Sequence, residues 1–469
     1  MVEEISSPSD RGHVPRETPI AAPDNYLEDG LKSGVFDASP GTCKELEFLK
    51  VFEIISAPAQ NSPGGELPDN ADACQRRDFL ANPQNRQSVE IKSLWDKNNR
   101  VLAIGDQHLT TDIKQFTAEN MRAFKEAGAD AIGLELFRKE DQHVLDTYRN
   151  TRLDANSTEE ERRSARAAVE SLLRQSQEGP VLDPNVSPDD LTKMRQAAQP
   201  AVDATMQMID SAIDAGIKPI AIEPNIANPF ASTGGYDLMQ NGMRKLPADA
   251  QNAFQAFTSP NSTPQERADA RKELERQMPG YERSADFLNT VDKARSEGFD
   301  FSGLKVNDES PASQKAWNAR LHDFRNKTWS DETAKFLNEN PNSRMLLFAG
   351  TQHFRFERMG GPDISSANER VKEKGFGTTV LQFTGGDFAQ SKHFDGEMTA
   401  LSEFYARENG LPPNPDGSYP APPDNYRSAA LRYTRVAQEA RVAEQQFAFR
   451  IKPTGPREAD YIVHLKQND

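Results

Sequence analysis

The run "VLAIGDQHLTTDIKQFTAENMRAFKEAGADAIGLELF" (101–137) decides the fold. It opens with "VLAIG" (101–105), an apolar run of strand length closed by a glycine and the polar "DQH". Thr110 and Thr111 then stand where a helix cap belongs. Ile113, Phe116, Met121 and Phe124 recur at helical spacing until Gly128 stops the helix. "DAIGLELF" (130–137) is a second strand. Strand, helix and strand make one βαβ unit with a right-handed crossover, which predicts an α/β fold with a mainly parallel central sheet and flanking helices.

The same texture continues outward. Val202, Met206, Ile209 and Ile213 form a helical stripe ended by Gly216, and "KPIAIEP" (218–224) is the third strand. "RMLLFAG" (344–350), "GTTVLQFTGG" (377–386) and "ADYIVHL" (459–465) read as further strands. Between them, 138–215 is charged and helical, with Ser157 as the N-cap of "STEEERRSARAAVESLLRQ". Residues 235–320 are polar and helix-prone, and both stretches read as helical insertions in a domain spanning 100–395. Residues 1–42 are rich in Ser, Pro, Asp and Glu without periodicity and read as a disordered leader, either a plain tail or a secretion or targeting segment. Residues 43–99 form a poorly defined N-terminal segment. Residues 396–469 read as a Pro-rich linker, a helix to about 447 and a final strand.

The 469 residues are enough for a large core, yet the hydrophobic fraction of 36% and mean hydropathy of −0.76 place apolar runs in only part of the chain. A net charge of −16 argues against a general nucleic-acid binder, which needs a basic surface. No apolar run reaches the length of about 18 residues that a membrane span needs. The N-terminus lacks the basic and apolar regions of a Sec signal peptide, so the expected location is the cytoplasm or, by a non-Sec route, outside the cell. Cys43 and Cys74 lack any CxxC or Cys/His metal spacing and read as two ordinary thiols, with a disulfide or a nucleophile as alternatives.

Four apolar runs carry polar or ionisable groups at or just past their C-terminal ends: Asp106 and His108, Glu135, Glu223, and His353. In an open sheet of parallel strands, ligands bind outside the carboxyl ends, so these groups are expected to converge on one crevice. Glu135 lies within an apolar strand, where an unpaired charge is costly, and it therefore needs a partner: an arginine, a histidine, a metal or a polarised water. Pro224 suggests that the strand has ended at Glu223 and that its side chain meets solvent. The glycines of "GDQH" (105–108) and "GTQH" (350–353) are expected to turn the chain sharply through positive φ and aim two imidazoles back over the sheet edge. Histidine suits that position because its pKa of about 6.5 lets it act as base, acid or neutral metal ligand. The remaining histidines, His322 among them, read as lying outside the site.

The pair "GDQH" and "GTQH", with "GLELF" between them, resembles the superfamily that joins erythromycin esterases, ChaN haem-binding lipoproteins, and the TraB and TIKI proteins. "LHDFRNKTWSDETAKFLNENPNSRMLLFAG" (321–350) is similar to the family's Arg-rich helix leading into the strand before the second motif, with Arg325 and Trp329 in the marked places. The resemblance covers roughly 100–390 and departs from the pattern at Asp106, where many members carry the longer glutamate. It implies a hydrolase of the esterase or metal-dependent peptidase type acting on a small molecule or peptide. His108 would be the base or a metal ligand, and Glu135 and Asp106 the carboxylates orienting His108 or a metal. His353 would be a second ligand or a stabiliser of developing charge, and Arg325 an oxyanion or carboxylate binder. A metal on His108, Glu135 and His353 would be Zn or Mn. The alternatives are a ChaN-like protein that ligates haem without catalysis, and a delivered bacterial effector acting on a host protein.

Overall fold

The computed structural model of the chain describes residues 66–68, 73–107, 110–177, 188–226, 235–354, 364–389, 410–420, 429–452 and 459–466, with isolated positions besides. The expected leader 1–42 and His108 lie outside the described residues.

Eight strands form one sheet: β1 (Glu66–Pro68), β2 (Val101–Asp106), β3 (Ala129–Arg138), β4 (Lys218–Glu223), β5 (Arg344–Gly350), β6 (Thr378–Gly385), β7 (Phe447–Lys452) and β8 (Tyr461–Leu465). They lie in the order β1-β7-β8-β6-β2-β5-β3-β4. Every neighbouring pair is parallel except β7 and β8. Among the described residues fourteen α-helices flank this sheet, so the α/β fold with a mainly parallel sheet is the one observed.

The central strands are buried from end to end, which is why they read as continuous apolar runs. Successive side chains point to opposite faces. Leu102, Ile104, Leu346 and Phe348 pack with Phe116 of the helix Asp112–Glu119 and with Val202, Met206, Ile209 and Ile213 of the helix Pro188–Asp214. Val101, Ala103, Met345 and Leu347 pack on the other face with Trp329 and Leu337 of the helix Pro311–Glu339. A third apolar cluster, including Tyr236, Met239, Phe254, Phe287, Phe299 and Phe324, belongs to the helical stretch between β4 and β5.

Several expectations change in detail. The helix after β2 breaks at Asn120 into two, and Thr111 makes no side-chain cap bond. Its N–H and Oγ1 both donate to Asp387 instead. Thr158, not Ser157, caps the helix Glu159–Gln177, through a reciprocal pair of bonds with Glu161. The C-terminal helix ends at Glu439 rather than at about 447, and "FAFRIK" (447–452) is a further strand. Cys74 is disulfide-bonded rather than an ordinary thiol.

The motif glycines also work differently from expectation. Neither Gly105 nor Gly350 has a positive φ. A Cβ on Gly105 would stand 2.7 Å from Thr351 Oγ1 and 3.3 Å from Thr351 Cα. The glycine thus admits a close approach by the turn that leads from β5 into His353.

Candidate active site

Adjacent strands β2, β5, β3 and β4 bring their carboxyl ends side by side, delivering Asp106, the turn Gly350–His353, Glu135 and Glu223 in that order. Glu135 sits where β3 parts from β5: their register runs to the pair Leu134 and Phe348 and no further. Beyond that point the Glu135 carboxylate, not a backbone carbonyl, accepts the Gly350 N–H. The strand irregularity thereby turns a carboxylate into part of the sheet's hydrogen-bond ladder.

The opposite wall is the helix Pro311–Glu339. His322, Arg325, Asn326 and Trp329 fall at i, i+3, i+4 and i+7, one face of that helix. Arg325 is the hub. Its Nε donates to Glu223 Oε1 at 2.6 Å, its Nη2 donates to Glu135 Oε1, and its Nη1 donates to His353 Nε2 at 3.2 Å. Trp329 Nε1 donates to the second Glu223 oxygen at 2.7 Å, and the Trp329 and His353 ring centroids are 4.3 Å apart. All of these side chains are buried. Removing one partner from such a cluster leaves a buried charge uncompensated and costs about 3–5 kcal/mol.

Burial shapes the charges. It pushes the Glu223 carboxyl up, Glu135 adds to the push, and Arg325 and Trp329 oppose it, leaving it at about 7. Burial alone would lower the Arg325 pKa, but Glu223 and Glu135 outweigh it and raise it, so the guanidinium stays charged. Glu223 is therefore a buried partner of Arg325, not the solvent-facing end of a strand broken by Pro224.

Hydrogen bonds fix the His353 ring. Asn326 Nδ2 donates to Ser365 O at 2.9 Å, which turns Asn326 Oδ1 toward His353 Nδ1 at 2.6 Å. A guanidinium nitrogen can only donate, so Nδ1 carries the proton and Nε2 the lone pair facing Arg325. His322, expected outside the site, lies against it, with its ring centroid 4.9 Å from that of His353.

At the end of β2, Asp106 pairs with Lys114, whose Nζ lies 2.8 and 3.1 Å from the two carboxylate oxygens. The same ammonium donates to Gln107 O at 3.3 Å and to Thr110 O at 2.9 Å, gripping the chain on both sides of residues 108 and 109. Lys114 is fully buried. The structure thus unites Glu135, Glu223, His353 and Arg325, and ties Asp106 into an ion pair; His108 lies outside the described residues.

The described members of the expected metal set do not fit a divalent cation. Both Glu135 oxygens and both His353 ring nitrogens already have partners, and the charged Arg325 stands between them. Among the described residues no group of three or more His, Cys, Asp or Glu is placed to hold a metal ion. No helix among them is long and apolar enough to cross a membrane.

Sequence reasoning missed Lys114, Asn326 and His322. Lys114 was signalled by a lysine on the same apolar helix that carries Ile113 and Phe116. Asn326 and His322 were signalled by their helical spacing from Arg325.

No protein-family model and no curated protein matches the chain. Solved structures do. One is an erythromycin esterase, EreC, in an open conformation, with 12% identity, a TM-score of 0.37, and coverage of 83% of this chain and 96% of the other. Another is the haem-binding ChaN of Campylobacter jejuni, with 10% identity, a TM-score of 0.25, and coverage of 61% and 82%. A third is the type III effector HopBA1, with 12% identity, a TM-score of 0.28, and coverage of 69% and 88%. Erythromycin esterases and ChaN proteins are two of the groups that the paired motifs resemble. At these scores the matches assign neither substrate nor cofactor to this chain.

Proposed function

We propose that the chain is a hydrolase of the esterase type, with its reacting centre at the carboxyl ends of β2, β5, β3 and β4. The observation that carries this reading is the buried Arg325, held at once by Glu135, Glu223 and His353 from three separate strand ends. Such an arrangement is expensive to desolvate and adds little to stability compared with apolar packing, so we read its value as a fixed, charged donor at the strand ends.

In this reading His108 is the base. Water adds to the acyl carbon as His108 takes its proton, and the proton returns to the leaving alkoxide when the carbon–oxygen bond breaks. Glu135 and Glu223 hold the guanidinium in orientation. His353 supports it through Nε2. Asp106, paired with Lys114, fixes the end of β2 two residues before His108 in the sequence.

The test is hydrolysis of p-nitrophenyl esters from acetate to octanoate by the purified chain and by His108→Ala. The expected result is turnover by the parent and a loss of at least about 100-fold in the variant, the range for a positioned base. Equal rates in the two proteins, or no turnover of any ester by the parent, would remove the reading.

A further inference from the structure

Glu223 closes β4 with 2% of its surface exposed. Among the described residues its two oxygens accept from Arg325 Nε at 2.6 Å and from Trp329 Nε1 at 2.7 Å. The first donor is a cation and the second is neutral. Arg325 also gives its Nη2 to Glu135, so one guanidinium serves two buried carboxylates. It cannot fully compensate both, and a buried anion short of countercharge is stabilised by taking up a proton.

The other charged groups near this strand end are engaged with one another. Arg138, opposite Glu223 in the register with β3, pairs with Asp141 and Glu140. Glu297, which accepts the Asn225 N–H, pairs with Lys139, and Lys293 pairs with Glu140. Burial and the charge on Glu223 push the Tyr236 pKa well up, so that phenol stays neutral. His353 is not placed to take the proton either, because its Nε2 lone pair faces Arg325 Nη1 at 3.2 Å. His322 lies against the His353 ring, with ring centroids 4.9 Å apart.

We propose that Glu223 is a proton switch on Arg325: as the anion it shares the guanidinium charge with Glu135, and as the acid it keeps its two hydrogen bonds but withdraws its negative charge. One proton from solvent enters a lone-pair site on the carboxylate that neither donor occupies, no donor loses its own proton, and the charge of the cluster rises by one. Arg325 then presents more uncompensated positive charge at the strand ends. Burial is the chief cause that raises the Glu223 pKa to about 7, which puts the change at neutral pH. The inference concerns regulation of the cluster and does not need the esterase reading, so its test reads proton uptake rather than turnover.

The test follows the carbon-13 shifts of the glutamate carboxyls and the N–H signals of the tryptophan indoles in the full chain as pH is varied. Trp329→Phe identifies the Trp329 signal by its loss. One carboxyl is expected to titrate near pH 7, far from the ordinary glutamate value of about 4.3. The Trp329 indole N–H is expected to move with the same midpoint, because its acceptor changes from an anion to a neutral acid. Glu223→Gln should abolish both. A parent in which no glutamate carboxyl titrates above about pH 5.5 overturns the inference, since every carboxyl then behaves as an ordinary one. So does a neutral-pH carboxyl or indole titration that persists in folded Glu223→Gln, which assigns the proton to another group. Should that variant not fold, the parent decides: a Trp329 indole that does not follow the carboxyl midpoint overturns the inference.

Discussion

Nη1 of Arg325 lies 3.2 Å from Nε2 of His353, so the imidazole presents a lone pair to a permanently charged donor. Its other nitrogen is committed to Asn326 Oδ1. Nitrogen-15 shifts of the His353 ring at about pH 8 should therefore report the Nδ1–H tautomer. Asn326→Leu removes the acceptor at Nδ1 and should broaden or mix the tautomers. An Nε2–H ring in the parent would contradict the bonding pattern.

Lys114 and Asp106 are both buried, and each is the other's countercharge. Lys114→Met takes this buried countercharge from Asp106 and should cost about 3–5 kcal/mol in urea unfolding. Combining it with Asp106→Asn should recover a large part of that loss. A double variant as unstable as the sum of the two single ones would show that the pair is not coupled.

His464 of β8 is buried between Thr384 Oγ1 at 2.9 Å and Ala443 O at 3.1 Å, stacked on Phe447. Burial lowers its pKa to about 4, against an opposing bond to Ala443 O. Between about pH 4 and 6.5 the unfolded chain then binds a proton that the folded one refuses. Stability should be fully present above about pH 6.5 and fall as pH drops toward 4, by up to about 3 kcal/mol at roughly 1.4 kcal/mol per pKa unit. His464→Gln should lose that part of the pH slope, measured by denaturation at a series of pH values. An unchanged slope would place the acid sensitivity elsewhere.

Much of the site was legible because it follows from strand ends. The runs "VLAIG", "AIGLELF", "KPIAIE" and "RMLLFAG" fixed which strands exist, and parallel pairing put Asp106, Glu135, Glu223 and the turn to His353 at one edge of the sheet. Glu135 was also correctly expected to need a partner. What stayed hidden depends on contacts between segments far apart in sequence. Glu223 looked solvent-facing because Pro224 follows it, and only the packing of the helix Pro311–Glu339 over β4 buries it against Arg325 and Trp329. Gly105 looked like a turn former, whereas its lack of a side chain matters for the passage of Thr351. Strand β1, three residues long, carries too few residues for a periodic signal and exists by pairing with β7, while β7 lies just past the stretch read as helix and is held as a strand by β1 and β8.

The most direct measurement compares ester turnover by the parent and by Glu135→Gln, which keeps the side-chain shape but removes one of the two negative charges on Arg325. If the strand-end cluster is the reacting centre, kcat/KM should fall by roughly 100-fold or more while the circular dichroism spectrum is unchanged, a loss within the range that fixed electrostatic groups supply. Parental turnover in a folded Glu135→Gln protein would contradict it.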